Sequence, residues 1–181
     1  NPSTTHITDS TFTTNTATTS GGAISNAGQM DITNNAAQTT FTGNTATNKG
    51  GAIYNRRILD IYSNTIFNSN SATHGGAIYT IYNTLTIDGT TFNNNIATNK
   101  GGAIFNNYTT TVTDSTFTSN HATYHGGAIY NDENRELTVD TCTFISNTSD
   151  IGGAIATQGA VTQPNPSTTH ITDSTFTTNT A

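Results

Sequence analysis

The sequence predicts an all-β protein with the fold of a parallel β-helix solenoid. Three observations predict this fold class. Residues 165–181 repeat residues 1–17 letter for letter, the sequence GGAI occurs six times, and the pattern F-x-x-N occurs seven times. The two short motifs alternate along the chain at a spacing of about 25 residues, as expected for the successive coils of a β-helix.

The identical ends define a long period. Residue 165 takes the place of residue 1, so one period is 164 residues long. We expect residues 1–164 to form one super-repeat of six coils with three short strands each. Residues 165–181 then begin the next identical super-repeat within one continuous solenoid, without a separate domain. At about 4.8 Å per coil, one period would advance by about 29 Å along the axis.

Stacked coils bring equivalent residues together in columns, because each strand pairs with its equivalent in the neighbouring coils. Two columns of large apolar residues are predicted to fill the core. The first is Phe12, Phe41, Phe67, Phe92, Phe117, Phe144 and Phe176, and the second is Ile24, Ile53, Ile78, Ile104, Ile129 and Ile155. A third column of small residues contains Ala17, Ala46, Ala72, Ala97, Ala122 and Ala181, with Ser149 as the exception.

The Asn of F-x-x-N is predicted to form a buried ladder. An amide carries both donors and acceptors, so identical amides about 4.8 Å apart can satisfy one another along a stack. The ladder residues are Asn15, Asn44, Asn70, Asn95, Asn120, Asn147 and Asn179.

Glycine pairs and a single cysteine complete the structural residues. Each Gly-Gly is expected at a backbone conformation or a close approach that a Cβ forbids. Cys142 replaces the Ser or Thr of other coils, which predicts a small buried residue. Outward loops are predicted at 33–40 and at 156–170, where Pro164 and Pro166 would lie outside the ladder.

The charge balance and the lack of long apolar runs exclude two classes of partner. Five Lys and Arg residues against eleven Asp and Glu give a net charge of −6, so no basic patch for nucleic acid can form. No apolar run approaches the roughly 20 residues that a membrane-spanning helix needs.

Titratable residues recur at fixed places, but their pattern does not predict catalysis. Asp9, Asp88, Asp114, Asp140 and Asp173 follow the strand before Phe; they are typical of turns, and their oxygens are also compatible with calcium. Lys49, His74, Lys100 and His125 precede Gly-Gly and form a cationic strip. Two coils separate its histidines, about 10 Å, which is too far to share a metal. We therefore predict no catalytic, cofactor or metal residues.

An aromatic column follows the core Ile. Tyr54, Tyr79, Phe105 and Tyr130 each come directly after Ile, so strand alternation places them on the side opposite the core. An exposed aromatic stripe of this kind predicts either self-supporting ladder contacts or a lateral interface with a neighbouring fibre.

With these motifs, the chain resembles the GGA[ILV]/FxxN repeat proteins. That group includes chlamydial polymorphic outer membrane proteins, and the chain also resembles adhesin-like β-helix surface proteins of methanogenic archaea. The motifs cover essentially the whole sequence. The resemblance implies a parallel β-helix in an extracellular passenger or stalk.

The function predicted is structural: an extracellular, cell-surface fibre, stalk or sheath element that is not an enzyme and needs no cofactor. Its partner is itself, end to end along the solenoid axis. One alternative is an adhesin passenger that binds a host or neighbouring cell through exposed loops. A polysaccharide-active β-helix enzyme is a third possibility, disfavoured because basic residues do not cluster beside the aspartates. Ice binding is disfavoured because T-x-T is missing from several coils.

Overall fold

A computed structural model describes residues 4–159 and 167–181 as a solenoid of about six coils with about 26 residues per coil. In these residues every strand is parallel to its neighbours and no helix occurs. No segment of this part of the chain is therefore a helix able to span a membrane. The predicted fold class, an all-β parallel β-helix solenoid, is confirmed.

Four parallel sheets run along the solenoid, and each coil contributes one short strand to most of them. Sheet A comprises β1 (Thr4–Thr8), β5 (Gln29–Thr33), β9 (Leu59–Ile61), β13 (Leu85–Asp88), β17 (Thr109–Thr113), β21 (Glu136–Asp140) and β24 (Thr168–Thr172). Sheet B comprises β2 (Thr11–Thr13), β6 (Thr39–Thr42), β10 (Thr65–Asn68), β14 (Thr91–Asn93), β18 (Thr116–Thr118), β22 (Thr143–Ile145) and β25 (Thr175–Thr177).

The other two sheets follow in the second half of each coil. Sheet C comprises β3 (Thr16–Ala17), β7 (Thr45–Ala46), β11 (Ser71–His74), β15 (Ile96–Lys100) and β19 (His121–Ala122). Sheet D comprises β4 (Ile24–Asn26), β8 (Ile53–Asn55), β12 (Ile78–Ile81), β16 (Ile104–Asn107), β20 (Ile129–Asn131) and β23 (Ile155–Thr157).

The number of strands per coil differs from the three expected, because sheet C forms a fourth set around the Ala column. Its strands are as short as two residues, as in Thr16–Ala17 and Thr45–Ala46. Two residues cannot display the period-2 alternation by which a strand is recognised in a sequence. The fourth strand, in the segment after each Asn, could therefore not be recognised from the sequence.

The core lies inside the coil and receives apolar columns from sheets A, B and D. Phe92 pairs with Phe67 and Phe117 in sheet B, and Ile104 pairs with Ile78 and Ile129 in sheet D. The five interior Phe residues and the four interior Ile residues are fully buried. Sheet A adds Leu, Ile and Val, for example Leu85 at 1% exposure. The apolar core is therefore a set of stacked columns that extends with each added coil.

The corner between sheet B and the Asn ladder requires a left-handed backbone in every coil. The residue before each Asn has a positive φ, from 52° at Thr14 to 64° at Gly43. Such angles are strained for a β-branched residue, so surrounding contacts must hold them. The hydrogen bonds of the next residue, the ladder Asn, provide that constraint.

An outward loop interrupts the regular coil at residues 34–38, between β5 and β6, in agreement with the first loop prediction. Asp9 of the preceding coil holds this loop, because its Oδ1 accepts the backbone N–H groups of Asn35 (3.1 Å) and Ala37 (3.2 Å). The second loop prediction, 156–170, is too long, because 156–157 belong to β23 and 168–170 to β24. Its Pro164 and Pro166 lie outside the described residues.

Candidate functional site

The Asn ladder connects seven amides, from Asn15 to Asn179, along the whole solenoid, as predicted. The backbone N–H and the Nδ2 of Asn95 both donate to Oδ1 of Asn120, each at 3.0 Å. The second Nδ2 hydrogen of Asn95 is directed to the carbonyl of Phe67, also at 3.0 Å. Asn70 donates in the same way to Asn95. Since each interior amide uses both donors and accepts two bonds, its burial carries no penalty for unmet hydrogen bonds.

The Phe column stacks beside this ladder with near-parallel rings. Phe92 and Phe117 have ring centroids 4.7 Å apart and an interplanar angle of 1°. The widest spacing in the column, between Phe67 and Phe92, is 4.9 Å. These distances equal the strand spacing, so the rings stack because the backbone register places them there.

A second polar column, on sheet D, was missed by the sequence analysis. Nδ2 of Asn26 donates to Oδ1 of Asn55 (2.8 Å), and Nδ2 of Asn106 donates to Oδ1 of Asn131 (2.7 Å). Thr80 stands between the two pairs and accepts from Nδ2 of Asn55 at 3.1 Å. All five side chains are buried. The signal in the sequence is the Asn two positions after the Ile of GGAI, where alternation places the side chain on the core side.

The Gly-Gly pairs occupy places that no other residue fits. The first glycine takes a left-handed backbone, with φ of 62° at Gly50. The second is pressed against the next coil: a Cβ on Gly51 would lie 2.1 Å from the carbonyl oxygen of Gly76. Both roles expected from the sequence, backbone conformation and close approach, are thus present in one pair.

The residue before Gly-Gly forms a column that covers sheet D from outside. Lys49 bridges to His74, His74 pairs with Lys100, and Lys100 bridges to His125. The cationic strip therefore lies in register, as expected. Each side chain leans on a ring: Nζ of Lys49 is 4.8 Å from the Tyr79 centroid, and the His74 ring contacts Phe105 edge-on at 5.4 Å.

The expectation that the aromatic column is exposed is wrong. Tyr79 and Phe105 are each 5% exposed and Tyr130 is 0% exposed, while Tyr54 is half-buried. Strand alternation placed these rings outside the main core correctly. The strip of Lys and His side chains covers them, so they form a second, smaller apolar cluster with Ala156. Burial raises the pKa of Tyr79 to about 12.

The two histidines of the strip have lowered pKa values. Burial lowers the pKa of His74 below its usual value of 6.5, and the charges of Lys100 and Lys49 lower it further. Burial and the charge of Lys100 lower the pKa of His125 in the same way. The strip therefore alternates Lys side chains with histidines whose pKa values are lowered.

The aspartates of the predicted acidic column separate into two columns. Asp88 pairs with Thr113, and Thr113 pairs with Asp140, so these two carboxylates share one position at the end of sheet A. Asp9, Asp114 and Asp173 lie one residue later, in a corner with φ between 43° and 47°. Among the described residues, no three His, Cys, Asp or Glu side chains are grouped to hold a metal ion. The turn role explains the corner aspartates, because Asp tolerates the left-handed backbone.

The aromatic column ends at a cleft of about 650 Å³. Ala156 takes the ring position and Ile151 the cation position, so the Lys and His strip ends at this cleft. Nζ of Lys100 crosses the gap to the hydroxyl of Tyr130 (2.9 Å) and to Oε1 of Gln158 (3.2 Å). Its ammonium also lies 4.3 Å from the Tyr130 centroid, so these contacts bind the cation within the wall of the cleft.

Cys142 is buried at 1% exposure, in the corner column otherwise filled by Ser and Thr. Its Sγ lies 3.2 Å from the carbonyl oxygen of Asp140, which matches the bond from Ser115 Oγ to the carbonyl of Thr113 (2.7 Å). Burial raises the pKa of the thiol to about 11. The cysteine is therefore a structural residue of this column.

One family model matches the chain five times. The model is described as the Chlamydia polymorphic membrane protein (Chlamydia_PMP) repeat, and the matches cover residues 9–27, 38–56, 64–81, 89–107 and 114–132, together just over half of the sequence. Each match runs from the corner before sheet B to the end of a strand in sheet D, and so contains both Asn positions and the Gly-Gly pair. No curated protein and no solved structure gives a significant match.

Proposed function

The chain belongs to the Chlamydia polymorphic membrane protein repeat family, and from this premise we propose that it is a structural segment of a cell-surface fibre, stalk or sheath. The segment is extracellular and mechanical, and identical 164-residue periods continue it end to end. The family supports a surface protein of adhesin-like type. The fibre is the finer proposal, and it rests on the geometry of the repeated ends.

The observation that carries the proposal is the stacking of the second copy on the first. Strands β24 (Thr168–Thr172) and β25 (Thr175–Thr177) have the bounds of β1 and β2 shifted by 164 residues. They extend sheets A and B by pairing with β21 and β22. The Asn ladder also crosses the boundary, because the backbone N–H of Asn147 donates to Oδ1 of Asn179 at 2.9 Å. These contacts support a continuous solenoid.

The coil formed by residues 167–181 exposes side chains whose equivalents in interior coils are buried. Phe176 is 43% exposed and Ile171 is 44% exposed, whereas their equivalents in interior coils are fully buried. A further coil would cover both side chains and pair the free strand edges, which otherwise invite association. A long array thus buries its own columns and presents few free edges.

Tandem arrays of one, two and four periods test the proposal. Imaged as single particles, the rods should lengthen by about 29 Å for each added period and remain straight across the boundaries. Rods whose boundaries act as flexible joints would contradict the continuous fibre. A turnover signal on a polysaccharide, lost when Asp88 and Asp140 are changed to Asn, would contradict the mechanical role.

The family also favours a second candidate, an adhesin passenger that attaches to a cell through exposed loops. The loop at residues 34–38 is an outward loop that such a function could use. If an array without these five residues keeps its rod length but loses attachment to cells, the adhesin function is supported. If attachment is unchanged, that loop is not the adhesive element.

A further inference from the structure

We propose that the outer face of sheet B is a lateral contact between two copies of this solenoid, an inference that rests on the continuous fibre proposed above. The face consists of the two residues that flank the core Phe in each coil, such as Thr116 and Thr118 around Phe117. These residues are half-buried in the interior coils and project away from the core.

This face carries no charge. All fourteen flanking positions lie in the described part of the chain, and they hold Thr except for Ile66, Asn68, Asn93 and Ile145. Of the two corners that adjoin this face, the one before the ladder Asn is uncharged from Thr14 to Thr178, and the one before sheet B carries a carboxylate in three coils, at Asp9, Asp114 and Asp173. Short uncharged side chains on a regular strand spacing can interdigitate with an identical array.

Apart from the corner aspartates, the charges of the chain lie on other faces. Asp31, Asp60 and Asp88 project from sheet A, and Lys49 and Lys100 lie along the edge of sheet D. Each period has a net charge near the −6 of this chain, so two copies repel one another over most of their surfaces. Sheet B is the face on which two copies can approach with the least repulsion. We therefore infer that the partner of this face is a second copy of the chain.

The aromatic column offers no such contact. Tyr79, Phe105 and Tyr130 are covered by the Lys and His strip, so a partner would have to displace those side chains first. The Thr-rich face needs no rearrangement.

The area of the face predicts when pairing begins. One period presents roughly 29 Å by 10 Å of this face, or roughly 290 Å². A stable interface needs about 800 Å² per partner. A single period should therefore remain a monomer, and arrays of three or more periods should pair, because each added period adds contacts without a further loss of rotational freedom.

The experiment uses tandem arrays of one, three and six periods, studied by sedimentation. Wild-type arrays of six periods should associate at lower concentration than arrays of three, and single periods should not associate. Thr116→Glu in every period should raise the concentration for half-association at least tenfold, because carboxylates then face each other across the contact. Thr111→Glu is the matched control: Thr111 is in the same coil, equally half-buried, and lies on the outer face of sheet A. It should change association less than twofold.

Two further measurements complete the test. Both variants should keep the β-sheet circular dichroism of the wild type, and 1 M salt should restore pairing of the Thr116→Glu array by screening the added charges. Association of Thr116→Glu at wild-type strength, or six-period arrays that stay single, would overturn the lateral contact. Single arrays that bind ice or a crystalline polysaccharide through this face would overturn it as well, by assigning the face to a non-protein surface.

Imaging separates this inference from the function on which it rests. Rods that lengthen by about 29 Å per period but never pair leave the fibre intact and remove only the lateral contact. Rods that do not lengthen with each period overturn the fibre itself.

Discussion

Asn95 gives two hydrogen bonds to one oxygen of Asn120, from its backbone N–H and from its side-chain amide, each 3.0 Å long. The first bond fixes the backbone at the strained corner, and the second saturates the buried amide. One side chain thus serves both the conformation of its own coil and the register of the next.

Replacing this ladder residue should be costly. Asn95→Ala removes the acceptor of Asn70 and the donor to the carbonyl of Phe67, which leaves buried polar groups without partners. We expect a loss of about 3–5 kcal/mol in the free energy of unfolding, measured by denaturant titration. Asn93→Ala, an outward position on sheet B, is the control and should change stability by less than about 0.5 kcal/mol. A loss for Asn95→Ala as small as that for Asn93→Ala would show that the ladder bonds contribute little.

The Gly-Gly pairs give a steric prediction. A Cβ on Gly76 would lie 2.1 Å from the carbonyl oxygen of Gly102 and 2.6 Å from that of Ile96, both rigid backbone atoms. Gly76→Ala should therefore lower the free energy of unfolding by about 3 kcal/mol or more, or prevent folding. Gly159→Ala is the matched control, because a Cβ there has no atom within 4 Å. Thermal unfolding of the two variants should differ clearly, and equal midpoints would contradict the close packing of coils.

The Lys and His strip makes stability depend on pH. Well above pH 6.5, the usual pKa of histidine, His74 and His125 are neutral in both states and the full stability is present. Below it, the unfolded chain binds protons that the folded chain resists, so stability falls as pH decreases toward the lowered folded pKa values. Denaturant midpoints should therefore decrease between pH 6.5 and pH 5, above the range in which carboxylates titrate.

Variants identify the source of this effect. His74→Gln should reduce the decrease in midpoint between pH 6.5 and pH 5, because it removes a titrating group from between Lys49 and Lys100. His121→Gln, on the exposed side of sheet C, should leave the decrease unchanged. A decrease that both variants retain in full would show that the strip is not responsible.

The buried thiol should be slow to react. Because burial raises the pKa of Cys142 to about 11, against a usual value of 9.0, the thiolate at pH 8 is about a hundredfold rarer in the folded chain. Alkylation by iodoacetamide should be at least a hundredfold slower in the native protein than in 6 M guanidinium chloride. Cys142→Ser should fold with stability within about 1 kcal/mol of wild type, since Ser115 fills the same position in the preceding coil. Rapid native alkylation would contradict the buried position.

Much of the fold could be predicted because identical residues recur at equal spacing. The columns of Phe92 and Asn95 can be recognised from repetition alone. The apolar Phe indicates a stacked core, and the polar Asn indicates a hydrogen-bonded ladder. The second ladder at Asn106 was predictable by the same counting. So was the separation of the aspartates, since Asp114 lies three residues before Phe117 whereas Asp88 lies four before Phe92.

The covering of the aromatic column could not be predicted in this way. The alternation of side chains along a strand predicts which face Tyr79 occupies. The side chain that covers it, Lys49, comes from the preceding coil across a glycine turn. That contact depends on the angle of the turn, and the angle is not encoded in a local pattern. The short strands of sheet C were hidden for the related reason that two residues show no period.

Diffraction from the native surface material, oriented as fibres, tests the continuous solenoid most directly. We predict a strong meridional reflection near 4.8 Å from the coil spacing and a longer axial repeat of about 29 Å from the 164-residue period. The first reflection without the second, in discrete rods that end after one period, would contradict end-to-end continuation.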